Sequence, residues 1–318
     1  MPTNTTAQIQ YGDGEQAVRT YYSDYLTDVA TPKLVHDQFG QVINVPDAGA
    51  KTIEFRKYEP LDKSTAPLTE GVTPDGQQLS VSVVSTDVNQ YGGFIELSDT
   101  LVLDSLDNNL VQATKLLGNQ AGATLDTITR EVLNGGTNVQ YGNGVKTTRA
   151  SLAATDVLTV NAIRVAVRTL KNQNAEKIDG AYVAIIHPDV AFDLMSDSAW
   201  QNPHIYADTE NLYSGEIGRI AGVRFVETTE AKKFVGAGAG DRDVYSTLIL
   251  ADNAYGVTGT DGGGLQIIIK QLGSGGTGDP LNQRASCGWK AYKAAERLVE
   301  QYMVRVETTA SVNNGEDN

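Results

Sequence analysis

Two alternating stretches early in the chain predict a pair of β-strands. In residues 51–58, Ile53 and Phe55 alternate with charged side chains, and a second alternating run covers residues 79–88. The stretch between them contains three prolines and two glycines, which makes it an irregular excursion rather than a tight turn. A connection of this length is unusual in a compact domain unless it has a function. We therefore predict that it reaches another subunit.

A helical pattern precedes these strands. Apolar residues recur at helical spacing from Val18 to Val29, and Thr31-Pro32 ends the pattern. This predicts an N-terminal arm with one amphipathic helix. Its tyrosines, Tyr21 and Tyr22 among them, pack either within the same subunit or onto a neighbour, and the sequence leaves both options open.

The strongest helical pattern follows the second strand. Nine apolar residues between Leu103 and Val132 step by three or four positions, and Asn134-Gly135-Gly136 provides a stop. About 29 residues at 1.5 Å each make a helix of roughly 43 Å. Such a length is typical of a structural spine.

The second half of the chain alternates between helical and strand patterns. Thr159 is placed to cap a helix that buries one apolar stripe and exposes Arg164, Arg168 and Lys171. The apolar run 182–186 predicts a buried strand that turns at His187-Pro188 into a short helix. Further strands are predicted at 223–228, 244–250 and 265–270, and a last one follows the glycine-rich stretch 273–278.

Charge and composition exclude several classes of protein. The 318 residues carry a formal net charge of −14 and no block of lysine or arginine, so tight binding of nucleic acid is not expected. The first residues lack the pattern of a signal peptide, and no apolar run is long enough to span a membrane. Cys287, the single cysteine, cannot form an intrachain disulfide.

The sequence contains no specific catalytic or ligand-binding motif. His187-Pro188-Asp189 is the best catalytic fragment, but Asp189 is also placed to cap the next helix and no nucleophile motif accompanies it. The glycines of 236–240 are followed by acidic residues where a phosphate loop needs a lysine. We predict no catalytic residue, no cofactor and no metal.

Several segments carry a family resemblance. They are 68–76 (LTEGVTPDG), 120–122 (QAG), 183–190 (VAIIHPDV), 215–220 (GEIGRI) running into 223–228 (VRFVET), and 278–284 (GDPLNQR) followed by 288–290 (GWK). These segments closely resemble the bacteriophage major capsid protein family typified by the podovirus N-four. The resemblance spans roughly residues 15–308, which is too much for a chance motif.

The resemblance implies an α+β fold of the Hong Kong 97 capsid type. Its expected parts are an N-terminal arm with an amphipathic helix (1–50), an extended β-hairpin loop (51–97), the spine helix and link of a peripheral domain (98–150), an axial domain with a mixed sheet (151–270), and a return to the peripheral domain with a C-terminal tail (271–318).

The resemblance also implies a function without catalysis. The chain is expected to assemble with itself, as pentamers and hexamers, into an icosahedral shell that encloses double-stranded phage DNA without binding it specifically. It would act in the virion after synthesis and assembly in the host cytoplasm, with no membrane involved. A separate scaffolding protein is expected because the arm helix starts almost at once, together with a portal and, as an open point, decoration proteins.

Contacts between subunits are predicted in the arm and the extended loop. The candidates are Tyr21, Tyr22, Phe55, Arg56, Lys57, Glu59, Leu61, Lys63, Leu68 and Glu70. Because exposed ion pairs contribute only about 0–1 kcal/mol each, apolar area from Phe55, Leu61 and Leu68 is expected to matter more.

Two alternatives stay open at this point. An encapsulin-like nanocompartment shell would use the same fold to enclose a cargo enzyme. A hydrolase centred on His187 and Asp189 would lose its activity on His187→Ala.

Overall fold

The computed structural model describes residues 35–44, 52–58, 61–71, 73, 75–104, 109–201, 218–259, 265–270, 272–273 and 278–312. The predicted arm helix, with Tyr21 and Tyr22, and also Glu59 lie outside these residues. The helices are α1 (Asp99–Asp104), α2 (Asn109–Asn134), α3 (Val160–Asn172) and α4 (Pro188–Ser196). The strands are β1 (Gln41–Ile43), β2 (Thr52–Tyr58), β3 (Val81–Asp87), β4 (Asn89–Ser98), β5 (Val139–Tyr141), β6 (Tyr182–Ile186), β7 (Arg219–Ile220), β8 (Val223–Glu227), β9 (Lys233–Phe234), β10 (Val244–Leu250), β11 (Tyr255–Thr258), β12 (Leu265–Lys270), β13 (Arg284–Lys293), β14 (Ala295–Arg297) and β15 (Met303–Thr308).

The largest sheet has seven strands and is covered on both faces. Its order is β5-β15-β10-β6-β8-β7, and β9 also pairs with β10. Every residue of β6 and β10 is buried, as expected for central strands with both faces packed. One face packs against α3 and α4, while the other packs against β11 and the end of α2. A separate three-stranded sheet, β1-β11-β14, forms part of that second layer.

Helix α3 confirms its predicted cap and buried stripe. The Thr159 side chain accepts a hydrogen bond from the Ala162 N–H at 3.3 Å, which satisfies one of the free amides of the first turn. Ile163, Ala166 and Leu170 are fully buried against the seven-stranded sheet. The apolar stripe therefore determines which side of the helix faces the core.

Helix α2 packs on the three-stranded sheet β12-β13-β4. Leu117, Ala121 and Leu125 contact Cys287 and Trp289 of the central strand. The helix ends at Asn134, as predicted, but it begins only at Asn109 and has 26 residues. At 1.5 Å per residue it is about 39 Å long rather than 43 Å. The start of the apolar pattern belongs instead to the short helix α1, and residues 105–108 lie outside the described part.

Strand pairing cuts across the predicted domain boundaries. Strand β4 pairs with β13 over ten residues, so the hairpin formed by β2 and β3 ends at Asp87 and not at residue 97. Strand β12 joins the same sheet although it was assigned to the axial domain. Strand β15, assigned to the peripheral domain, pairs with β10 in the seven-stranded sheet. Strands β4, β12 and β15 thus form backbone hydrogen bonds with strands of other predicted domains.

The root of the hairpin is built into the core of its own subunit. Phe55 is only 2% exposed and packs with Ile53, Val88 and Ala294. A Cβ atom at Gly256 would lie 2.1 Å from the Phe55 ring, so this close approach requires glycine. The Phe55 ring therefore packs mainly within its own subunit, with one side lining the cleft described below, and its contact with another subunit stays a prediction.

Substitution of Phe55 should destabilise the subunit itself. We expect Phe55→Ala to lower the free energy of unfolding by about 3–5 kcal/mol, because a buried ring leaves a cavity. Arg56→Ala, on the opposite and exposed side of the same strand, should change it by about 0.5 kcal/mol at most. Denaturant unfolding of both variants tests this, and equal losses would contradict the assignment of Phe55 to the core.

Candidate assembly surfaces

The hairpin loop, defined here as residues 61–80, exposes apolar side chains that nothing in the described chain covers. Its described residues form neither helix nor strand, and all of them are exposed. Leu61, Leu68 and Leu79 have 58%, 76% and 62% of their surface exposed. Three exposed leucines on one projecting loop are typical of an interaction site.

The other predicted contact residues have varied positions. Arg56 is exposed at the hairpin, with its guanidinium 3.7 Å from a Glu54 carboxylate oxygen. Lys63 and Glu70 are exposed in the hairpin loop. Lys57 lies in β2 opposite Ser82. These residues share one projection of the chain, but no contact of the described part joins them into a single cluster.

A second exposed surface lies on the three-stranded sheet, on the side away from α2. Phe94, Gly288 and Ile268 form one row across the three strands, and both apolar side chains are exposed. Because alternate residues of a strand share a face, Arg284 and Lys290 of β13 and Lys270 of β12 lie on this side too. We define Phe94, Ile268, Lys270, Arg284 and Lys290 as the outer sheet face.

Sequence reasoning missed the outer sheet face. The signal available was the alternation in residues 284–293, where buried and less buried positions follow each other along β13. Gly288 and the lysines of the strand hide that alternation from a search for apolar residues. Which residues share the face also depends on pairing with β4 and β12, which are distant in sequence.

The first described segment of the chain, residues 35–44, is held by buried hydrogen bonds. We define residues 35–44, which are the described part of the predicted arm (1–50), as the arm root. The backbone N–H of His36 donates to one oxygen of Asp126 at 2.8 Å, and its ring Nδ1 lies 2.7 Å from the other oxygen. The Tyr255 hydroxyl donates to the His36 carbonyl, and burial raises the pKa of Tyr255. The arm root is thus attached to both α2 and β11.

A buried ion pair adds a further attachment. The Lys293 ammonium, with a side chain only 1% exposed, lies 2.7 Å from a carboxylate oxygen of Asp37. The Thr129 hydroxyl donates to the other oxygen of that carboxylate at 2.6 Å. Because a buried lysine needs a partner charge, this pair fixes the arm root relative to the end of β13.

The best catalytic fragment of the sequence is a helix cap in the structure. The His187 ring accepts a hydrogen bond through Nδ1 from the Asp189 N–H at 3.2 Å, so the cap of α4 is His187 and not, as predicted, Asp189. The Asp189 carboxylate instead accepts a hydrogen bond from the Tyr245 hydroxyl at 2.8 Å. Burial lowers the pKa of His187, against the opposing effect of the Asp189 carboxylate. The neutral imidazole thus accepts a hydrogen bond from the backbone at the start of α4.

Among the described residues, no three His, Cys, Asp or Glu side chains come together in a way that could hold a metal ion. No helix of this part of the protein is both long and apolar enough to cross a membrane.

Comparison with known proteins now adds to this geometry. A family model described as "Phage capsid protein" matches residues 51–259, about two thirds of the sequence. The chain belongs to this phage capsid protein family. The match covers the hairpin, α2 and most of the seven-stranded sheet. No curated protein matches the chain in sequence.

Solved phage capsids share the fold of this family member. The capsid of Ralstonia phage GP4 superposes with a TM-score of 0.71 at 15% identity, covering 95% of this chain and 98% of that one. The capsid of cyanophage Pam1 gives a TM-score of 0.70 at 14% identity, with 98% and 99% coverage. Cyanophage P-SCSP1u gives 0.68 at 13% identity, with 93% and 94% coverage. At such identities the likeness establishes the mixed α/β capsid fold alone.

The family assignment confirms several predictions. The phage capsid protein is a structural protein of the virion and not an enzyme, and it acts as multiple copies. The nanocompartment alternative is not favoured, because both the family and its structural neighbours are phage capsids.

The buried Lys293 should make Asp37 important for stability. We expect Asp37→Ala to lower the free energy of unfolding by about 3–5 kcal/mol, because it leaves a buried charge without its partner. The double variant Asp37→Leu/Lys293→Met should recover most of that loss, since apolar side chains of similar volume often replace a buried ion pair at little cost. Calorimetry of both variants distinguishes this from a simple loss of packing, in which the double variant would be the less stable.

The His187 cap should make stability depend on pH. A base with a lowered pKa binds fewer protons when folded than when unfolded, so stability falls as pH drops below about 6.5, the ordinary histidine value. We expect the wild-type Tm to decrease more between pH 7.5 and pH 5.5 than that of His187→Asn, which keeps a capping side chain but does not titrate. Identical decreases in the two proteins would rule out His187 as the source.

Proposed function

We propose that this chain is the major capsid protein of a tailed bacteriophage, with the Hong Kong 97 type fold and closest to the family typified by the podovirus N-four. It assembles as pentamers and hexamers into an icosahedral shell around the double-stranded DNA genome. The observation that carries the proposal is the hairpin loop, whose leucines are exposed in the single subunit. The root of the hairpin, packed around Phe55 with Ile53, Val88 and Ala294, provides the support from which the loop projects.

The hairpin loop docks on the outer sheet face of the next copy. Apolar side chains occur on both surfaces, the leucines on the loop and Phe94 and Ile268 on the sheet. Their charges are complementary as well. The described residues of the loop carry Asp62, Glu70 and Asp75 against Lys63, whereas the sheet face carries Lys270, Arg284 and Lys290 against Glu96. Two different surfaces joined in this way form a heterologous contact, which gives a ring when the rotation between neighbouring copies closes.

Apolar burial supplies most of the free energy of this contact. Full burial of a leucine side chain contributes about 1.5–3 kcal/mol before the cost of ordering the loop is subtracted. Exposed ion pairs add at most about 1 kcal/mol each, and they act mainly on orientation and on the choice of partner. The leucines therefore set the strength of the contact, and the charges set its register.

Further partners follow from the same proposal. A scaffolding protein directs assembly in the host cytoplasm, a portal occupies one vertex, and decoration proteins remain an option. The packaged DNA is enclosed without specific binding, because a chain of net charge −14 repels phosphate and leaves small cations to neutralise the genome.

Deletion of residues 61–78 should abolish assembly without unfolding the subunit. The deletion leaves four residues, Glu59, Pro60, Leu79 and Ser80, between β2 and β3, which is a normal length for a hairpin connection. We expect a monomeric, folded protein with no closed particles in negative-stain micrographs, whereas the full chain with a scaffolding protein forms shells. Normal shells from the deletion variant would overturn the role of the loop.

A milder pair of variants separates the leucines from the loop as a whole. Leu61→Ser/Leu68→Ser should reduce particle yield, while Val145→Ser, at an exposed apolar residue of another turn, should leave it unchanged. Particles that contain a protein cargo and no phage DNA would instead support a nanocompartment.

A further inference from the structure

Helix α3 presents a stripe of positive charge on an acidic chain. Arg164, Arg168 and Lys171 are all exposed, and their spacing of four and three residues places them on one side of the helix over about 10 Å. Among the described residues, no carboxylate forms an ion pair with any of the three. Three unpaired cations in a row give this helix face a positive potential on a protein of net charge −14, and an acidic surface would complement it.

Apolar side chains lie on the adjoining helix. Phe192 and Met195 of α4 are exposed. The Asp197 carboxylate, directly after α4, accepts a hydrogen bond from the Val160 N–H at 2.9 Å, so the end of α4 meets the first turn of α3. Aromatic residues, methionine and arginine are all enriched at protein interfaces, whereas nucleic-acid interfaces are more polar. The partner of this stripe is therefore a protein surface and not the packaged DNA.

A cleft of opposite charge lies beyond the C-terminal end of α3, where the turn that follows the helix forms one of its walls. It has a volume of about 400 Å³ and lies between the hairpin root and two turns, one after α3 and one after β10. Glu176 and Asp252 line it and have no cationic partner in the described structure. Arg56 also lines it, but its guanidinium lies close to Glu54.

The acidic wall of the cleft is held in a fixed conformation. The Asp252 N–H donates to the Glu176 carbonyl at 3.0 Å, which joins the two turns. Asn174 and Asn253, which also line the cleft, adopt the left-handed conformation with φ of 53° and 54°, one that asparagine tolerates better than most residues. The carboxylates are thus presented by a preformed surface.

We propose that the α3 stripe of one copy docks against the acidic cleft of the next copy in the ring. The inference rests on the proposed assembly of identical subunits, and it adds a contact separate from the hairpin loop. A heterologous ring requires two complementary surfaces on each chain, one for each neighbour. The stripe and the cleft have opposite charge, and neither is neutralised within the described subunit.

Charge reversal and charge exchange test this contact in the full chain. Arg164→Glu/Arg168→Glu/Lys171→Glu places acidic groups against the cleft, and Glu176→Lys/Asp252→Lys places basic groups against the stripe. Each set should lower the yield of closed particles about tenfold or more, because like charges juxtaposed at an interface are strongly unfavourable. The chain that carries all five substitutions should regain most of the wild-type yield, since every neighbour again offers the opposite charge.

A matched control removes the effect of net charge. Lys115→Glu/Arg224→Glu/Arg242→Glu changes the net charge by the same amount as the stripe reversal, at positions outside α3 and the cleft, and should assemble like the wild type. Circular dichroism and Tm of each unassembled variant establish that it folds. Particle yield is measured by light scattering and negative-stain microscopy.

The outcomes separate this contact from the proposed function. If the wild type and the stripe reversal both form normal particles, the contact is overturned and the proposed function is not. A chain with all five substitutions that assembles as poorly as the stripe reversal also overturns the contact. Intact particles of the stripe reversal that differ only in holding less DNA overturn it as well. A wild-type chain that forms no particles with its scaffolding partner overturns the proposed function, and the contact with it.

Discussion

The backbone pairing of β4 with β13 is the constraint on which the rest of the molecule depends. Ten consecutive residue pairs join two segments that lie almost two hundred residues apart in the sequence. The resulting sheet supports α2 on one side and leaves an exposed face on the other. The hairpin precedes β4, and the partner of Asp37 is the last residue of β13. The outer sheet face and the attachment of the arm root at Lys293 are therefore positioned by one long-range contact.

Local patterns predicted those elements whose signals are complete within a short segment. The cap and stripe of α3 and the buried strand β6 have the expected bounds, because each depends only on neighbouring residues. Strands β4 and β13 were missed, since Gly92, Gly93 and Gly288 interrupt the apolar alternation where neighbouring strands approach closely. The alternation at Phe55 indicated a buried face, but it could not indicate that the burying surface belongs to the same subunit.

The candidate surfaces also differ in how far local sequence predicts them. Prolines and glycines identified the hairpin loop, since they exclude regular structure locally. The outer sheet face depends on which distant strands become neighbours, and no single segment records that. Lys293 shows the limit most clearly, because a lysine is normally exposed and only the distant Asp37 makes its burial possible.

The arm root has a mechanical consequence. Its bonds go to Asp126 and Thr129 in the C-terminal half of α2, to Lys293 at the end of β13, and to Tyr255 of β11. A pull on the chain at residue 35 therefore acts on bonds to three elements at once. In a capsid, such a junction distributes force between α2 and the two sheets that contain β13 and β11.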